Sequence, residues 1–165
     1  MSNIKGEFLF FCGSLIDVFK PGDEEKWTFS VRFGSLHRFT SPSNYEMQGE
    51  ALETAKYHAL IDMCWRSEEL HFITSYPADR IITQSEELTA FLGGVSTNVL
   101  VGDLYLRKQE RIETLKDLSA HKFVSSQVKR MQRMDGGLFE GIVTSRLFEF
   151  GGAAVLLEHL NLVSQ

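Results

Sequence analysis

Apolar and polar positions alternate most clearly over 27–34, where Trp27, Phe29, Val31 and Phe33 interleave with Thr28, Ser30, Arg32 and Gly34. A period of two predicts a strand with one face in a core and the other in water. Upstream, the apolar run at 7–12, bounded by Gly6 and Gly13, predicts a short strand buried on both faces. At Gly34 the alternation slips, because Leu36 takes the parity of Gly34 and not of Phe33. That slip predicts a bulge or turn and a short continuation to Phe39.

Ser41-Pro42-Ser43 then stops the strand and opens a helix over 45–65, with Ser43 and Glu46 at capping-box spacing. Its stripe of Gln48, Leu52, Ala55, Ala59 and Met63, flanked by Met47 and Ala51, is rich in small residues, which predicts close approach to a sheet. A strand at 70–74 ends at Tyr76-Pro77. Thr83 or Ser85 can then cap a short helix to Leu92, which Gly93-Gly94 terminates. The segment 97–107 reads as a strand buried on both faces, with Asp103 its one anomalous charge. From 108 to 134 there is no Gly or Pro, and the apolar period breaks between Ser119 and Lys122, so two helices are expected before Asp135-Gly136-Gly137. A last strand at 141–150 precedes Gly151-Gly152 and a terminal helix with Ala153, Leu156, Leu157, Leu160 and Val163 on one face. No internal repeat or linker divides the chain. The expectation is a single α+β domain over 1–165, with a mixed or antiparallel sheet of about five strands covered by about four to five helices.

Composition narrows the class without naming an activity. The 165 residues are 43% hydrophobic and 24% charged with three prolines, which excludes disordered, collagen-like and coiled-coil chains. Arg146 and Glu149 interrupt the apolar stretch at 142–157, so no membrane span is expected. Two cysteines without a CxxC spacing, and no signal-peptide pattern, point to a reducing, cytoplasmic setting.

Charge is unevenly placed. The whole chain carries −5, yet 107–133 holds eight basic residues against three acidic ones, a local +5. If 122–134 is helical, Ser126, Lys129, Arg130 and Arg133 share one face opposite Val128, Met131 and Met134, with Lys122 at its start. Such a stripe can hold an acidic protein surface or phosphates, or can simply be a solvated face paired with acids elsewhere.

Other chemistry is thinner. Cys12 follows an apolar run at a position where some folds hold a nucleophile, but the spacing selects none of the five histidines as its base. His58 and Asp62, four apart on the 45–65 helix, can offer two metal ligands, with His71 or Glu69 as a third. Thirteen phenylalanines against four tyrosines favour core or contact surface, with Phe11, Phe19, Phe39 and Phe123 the candidates for an exposed cluster. No glycine pattern for phosphate or dinucleotide, and no cofactor motif, is present. The reading is a non-enzymatic protein-interaction domain, an inhibitor, adaptor or assembly subunit, contacting a protein partner or a second copy through Lys122, Ser126, Lys129, Arg130 and Arg133. The alternatives are a nucleic-acid or phosphate-binding module using 107–133, and a small hydrolase or transferase with Cys12 as nucleophile.

Overall fold

Cys12 and Gly13 both take positive φ, 49° and 73°. This is the signature of the two-residue turn whose twist suits a tight hairpin. The apolar run therefore becomes strand β1 (Glu7–Phe11), which folds back antiparallel on β2 (Ser14–Phe19) with Phe11 opposite Ser14. The computed structural model describes residues 7–22, 24–33, 37–41, 44–94 and 98–163. Its contacts divide the chain into two compact units, 1–63 with 150–152 and 64–149 with 153–165.

In the first unit β2 pairs with β3 (Thr28–Phe33), which pairs with β4 (His37–Thr40), giving a four-stranded antiparallel sheet in chain order. Ile16, Val18, Phe29, Val31 and Phe33 share one face. They form one core with Ala51, Ala55 and Ala59 of helix α1 (Gln48–Trp65). Alanines every fourth residue leave no side-chain bulk between helix and sheet, so the close approach expected from the sequence is realised. The opposite face of β3 is less wet than expected: Thr28 and Ser30 are buried, and Arg38 donates to the Ser30 hydroxyl at 3.0 Å. β1 is an edge strand with Phe10 72% exposed, which corrects the expectation of burial on both faces. Helix α1 starts at Gln48, later than the 45–65 reading. Glu46 lies before it and pairs with Lys26 at 3.1 Å, so it does not sit in the first turn. Ser43 and the expected slip at 34–36 lie outside the described residues.

The second unit carries β5 (His71–Ser75), β6 (Ile81–Gln84), α2 (Glu86–Leu92), a 3-10 turn at Val101–Leu104, α3 (Lys108–His121), β7 (Phe123–Ser125), β8 (Lys129–Gln132), β9 (Leu138–Phe150) and β10 (Ala153–Leu162). Its antiparallel sheet runs β6-β5-β10-β9-β7, and β8 also pairs with β9. α2 forms as read: the Ser85 hydroxyl accepts from Leu88 N at 3.2 Å, and Gly93 closes the helix at φ 81°.

Three segments change class, so the described residues form three α-helices where four to five were expected, and ten strands in two sheets where about five were expected. The terminal helix is instead β10. Gly151 and Gly152, at φ 52° and 98°, make a hairpin turn that lays 153–162 along β9, and the apolar spacing fits a strand as well as a helix face. The second helix of 108–134 is instead two short strands. Lys122 takes a left-handed φ of 61° and ends α3, after which β7 and β8 each pair with a different stretch of the 13-residue β9. Where a strand was expected over 97–107, the described residues form a 3-10 turn at Val101–Leu104 flanked by isolated bridges at Leu100 and Tyr105. Val101 and Leu104 point inward, while Asp103 is exposed and pairs with Lys108. Among the described residues no helix is long and apolar enough to cross a membrane.

The β3 alternation is open to direct test. Phe29→Ala should cost about 3–5 kcal/mol of unfolding free energy as a core truncation. Arg32→Ala, at the exposed position of the same strand, should shift it by less than about 0.5 kcal/mol. Chemical denaturation of the two variants measures the contrast.

Candidate functional site

Helix α3 turns Arg111, Thr114 and Leu118 inward, at the spacing of one helical face. An arginine thus occupies a core position, 1% exposed. It is satisfied from two directions. Its Nη1 and Nη2 donate to Glu158 Oε1 and Oε2 of β10 at 2.6 and 2.7 Å, while Nη2 and Nε donate to Asp79 Oδ1 at 2.6 and 3.0 Å. Bidentate, charge-assisted bonds of this kind are the strongest a side chain makes.

The carboxylates are held in turn. Glu158, fully buried, also accepts from Ser145 Oγ of β9 at 2.6 Å and Thr74 Oγ1 of β5 at 3.1 Å. Asp79 lies in the β5–β6 connection at a left-handed φ of 57°, a conformation Asp tolerates better than most residues. It accepts from Gly102 N of the 3-10 turn at 3.2 Å. One ion cluster therefore ties α3, three adjacent strands, the β5–β6 turn and the 3-10 turn together.

The cluster forms a polar layer between two apolar ones. Along β9, Ser145 sits between Val143 and Leu147; along β10, Glu158 sits between Leu156 and Leu160. Val143 and Leu160 belong to a core with Phe72, Leu88, Tyr105 and Met131, and Leu147 and Leu156 to a second with Leu118. Burial works against the charge on Arg111, yet Glu158 and Asp79 more than offset it and hold its pKa above the ordinary arginine value. At Asp79 the neutral form is the one favoured. Burial raises its pKa above 3.8, the Glu158 charge adds to the rise, and the Arg111 and Gly102 bonds oppose it without cancelling it. Beside the cluster, burial pushes the Tyr105 hydroxyl up to about 12, and that hydroxyl has no hydrogen-bond partner of good geometry.

None of these residues was singled out from sequence as a site. Arg111 was counted only as part of the basic segment, although it takes the inward position one helical turn before Leu115 and two before Leu118. Glu158 was hidden by the helical reading of 153–163, which turns it outward; read as a strand, Leu156-x-Glu158-x-Leu160 exposes a charge on the core face.

The basic residues read as one helical face lie on strands and in turns, each beside an acid. Lys129 is 3.9 Å from Glu110, Arg130 3.1 Å from Glu140, Arg133 3.4 Å from Asp135 and Lys122 2.8 Å from Glu149. Ser126 Oγ accepts from Val143 N at 2.8 Å. Arg130 remains exposed at the meeting of two shallow grooves, one lined by Leu106, Leu138, Phe139 and Glu140, the other by Leu106, Arg107, Glu110 and Val128. Cys12 is in a hairpin turn, not in a strand-to-loop elbow, and Cys64 is buried with its thiol pushed up to about 12. His58 packs its ring near Phe29, Phe39 and Tyr57, and burial lowers its pKa. The two residues proposed to complete a metal site with it, Glu69 and His71, lie together with His159.

No protein-family model matches the sequence, and no curated protein sequence matches it. Solved structures match in fold. A PAS domain from a two-component sensor histidine kinase aligns over 68% of this chain and 97% of its own, with TM-score 0.54 and 10% identity. The PAS domain of an HTR-like protein from Haloarcula marismortui aligns over 68% and 94%, with TM-score 0.54 and 15% identity. A light-oxygen-voltage domain studied with a flavin analogue aligns over 65% and 86%, with TM-score 0.52 and 16% identity. The chain has a PAS-like α+β fold, and its structural neighbours are PAS and light-oxygen-voltage domains.

Asp79 resists ionisation chiefly because it is buried, and the second carboxylate, which leaves the cluster net negative when all three groups are ionised, adds to the effect. A raised folded pKa means that folding takes up a proton between 3.8 and the folded value, so this group makes the protein more stable as pH falls through that window. Asp79→Asn keeps an acceptor for Arg111 and removes the excess charge. Denaturation curves across the acid range should show that this variant loses that contribution while folding at neutral pH.

Proposed function

We propose that the chain is a non-enzymatic protein-interaction domain of the sensory type its structural neighbours represent, and that the surface around Arg130 is its contact face. The observation that carries this reading is the exposure there of large apolar side chains: Leu138 is 66%, Val128 49% and Leu106 45% exposed. Exposed apolar clusters rimmed by charge are characteristic of protein contacts, and Arg130, Arg107, Glu110 and Glu140 supply such a rim. The segment 105–106 is fixed to β8 by the Tyr105–Met131 bridge and by Leu106 N donating to Arg130 O at 3.1 Å, so the surface is backed by sheet and not by loop.

Two other readings have less support. Phosphate binding needs cations whose charge is not already met, and Lys122, Lys129, Arg130 and Arg133 each have an acidic neighbour within 4 Å. Nucleophilic catalysis by cysteine needs a thiolate, which burial disfavours at Cys64, and Cys12 sits in a tight turn. The flavin chemistry named for one neighbour does not fit this interior. The Arg111 donors are taken by Asp79 and Glu158, which leaves none of them for a ring ligand.

A second copy of the chain is the first partner to test. Light scattering over a concentration series should give a mass rising from monomer toward dimer, and Leu138→Glu with Val128→Glu should hold the protein monomeric while circular dichroism stays unchanged. A wild-type protein that stays monomeric throughout removes self-association from the reading. Association that persists in the double variant moves the contact face elsewhere.

A further inference from the structure

His71 of β5 and His159 of β10 are direct cross-strand partners, so their side chains leave the same face of the sheet. This is the face opposite Phe72 and Glu158. The two imidazoles stack with centroids 4.6 Å apart and ring planes 20° from parallel. The carboxylate of Glu69 approaches one nitrogen of each ring, its Oε2 lying 3.8 Å from His71 Nδ1 and 3.6 Å from His159 Nε2. The three ligand-type atoms lie within 4.8 Å of one another.

The backbone before β5 is built to hold Glu69 there. Glu69 N donates to Ser67 Oγ at 3.1 Å, and Glu69 O accepts from His71 N at 2.8 Å and from Ser85 Oγ at 2.7 Å. Ser67 Oγ also bonds His71 Nδ1 at 2.7 Å, which fixes the ring. The side chain of Glu69 is 65% exposed, so the group opens to solvent.

We infer that Glu69, His71 and His159 form a binding site for a divalent cation of the zinc class. Two imidazole nitrogens and one carboxylate oxygen are a donor set suited to Zn²⁺ and its borderline neighbours and poorly suited to Mg²⁺ or Ca²⁺, which prefer oxygen. With metal–ligand bonds of about 2.0–2.2 Å, tetrahedral ligands lie about 3.4 Å apart. The two carboxylate–imidazole separations are already close to that value, and a tilt of the stacked rings brings the nitrogens together. Binding at His71 Nδ1 displaces the Ser67 hydroxyl. Binding at His159 Nε2 leaves the proton on Nδ1, which lies 3.4 Å from the Asn161 amide nitrogen; turning that amide over places its oxygen there to accept. Three protein ligands leave a position for water. The site does not depend on the contact face around Arg130.

Isothermal titration of the full chain with zinc sulfate, beside the cobalt absorption spectrum, tests it. One equivalent should bind to the wild type and to His121→Gln, whose ring lies at the exposed end of α3, with a rise in melting temperature. Glu69→Gln and His159→Gln should each weaken binding at least tenfold and lose the cobalt band. Glu69 is exposed, so its variant keeps the test valid if His159→Gln does not fold. Absence of binding at millimolar zinc, or affinity unchanged in either variant, overturns the site.

Discussion

The guanidinium of Arg111, held by Glu158 on one side and Asp79 on the other, is the constraint on which the second unit depends. Taking one cation and two anions out of water costs several kcal/mol for each ion, and only near-complete hydrogen bonding offsets it. That completeness demands that α3, β5, β9, β10 and two turns arrive together, because Arg111, Thr74, Ser145, Glu158, Asp79 and Gly102 N each come from a different place. Apolar layers on either side can slide. A bidentate ion pair cannot: shifting β10 by one residue would replace Glu158 with Leu157 or His159 and leave a buried arginine half-paired.

The same helix links interior to surface. Neighbouring positions in the first turns of α3 carry Arg111 inward and Glu110 toward Lys129 of β8, and Arg107, immediately before the helix, lines the groove beside Arg130. The start of α3 thus contributes both to the buried cluster and to the rim of the groove around Arg130. The proposal of an interaction domain rests on the apolar side chains exposed around Arg130.

Much of the fold was legible in the sequence where a single period dominates. The alanine stripe of α1, the Ser85 cap and Gly93 stop of α2, and a helix in the first half of 108–134 form as read, while of the alternation at 27–33 the apolar face forms as read and the polar face is exposed only at Arg32. Failures came where an apolar spacing satisfies two periods, as at 153–163, or where a strand is too short to show one, as at β7 and β8. Those errors also hid the site, since reading β10 as a helix turned Glu158 to solvent and reading β8 as a helix gathered Lys129, Arg130 and Arg133 into a stripe the fold distributes among separate acidic partners. His71 and Glu69 were read only as alternative third ligands to His58 and Asp62; that both lie beside His159 was not legible, because only strand register brings 71 and 159 together.

A double-mutant cycle between Arg111 and Glu158 tests the central claim most directly. With Arg111→Met, Glu158→Leu and the two combined, denaturant unfolding gives a coupling energy that separates the pair from the packing of its stems. The account predicts that each single change costs about 3–5 kcal/mol by stranding a buried charge, and that the combined change costs far less than the sum, a coupling of about 2 kcal/mol or more. Single costs that simply add would contradict it, since the pair would then be a bystander in a unit held together by its apolar layers alone.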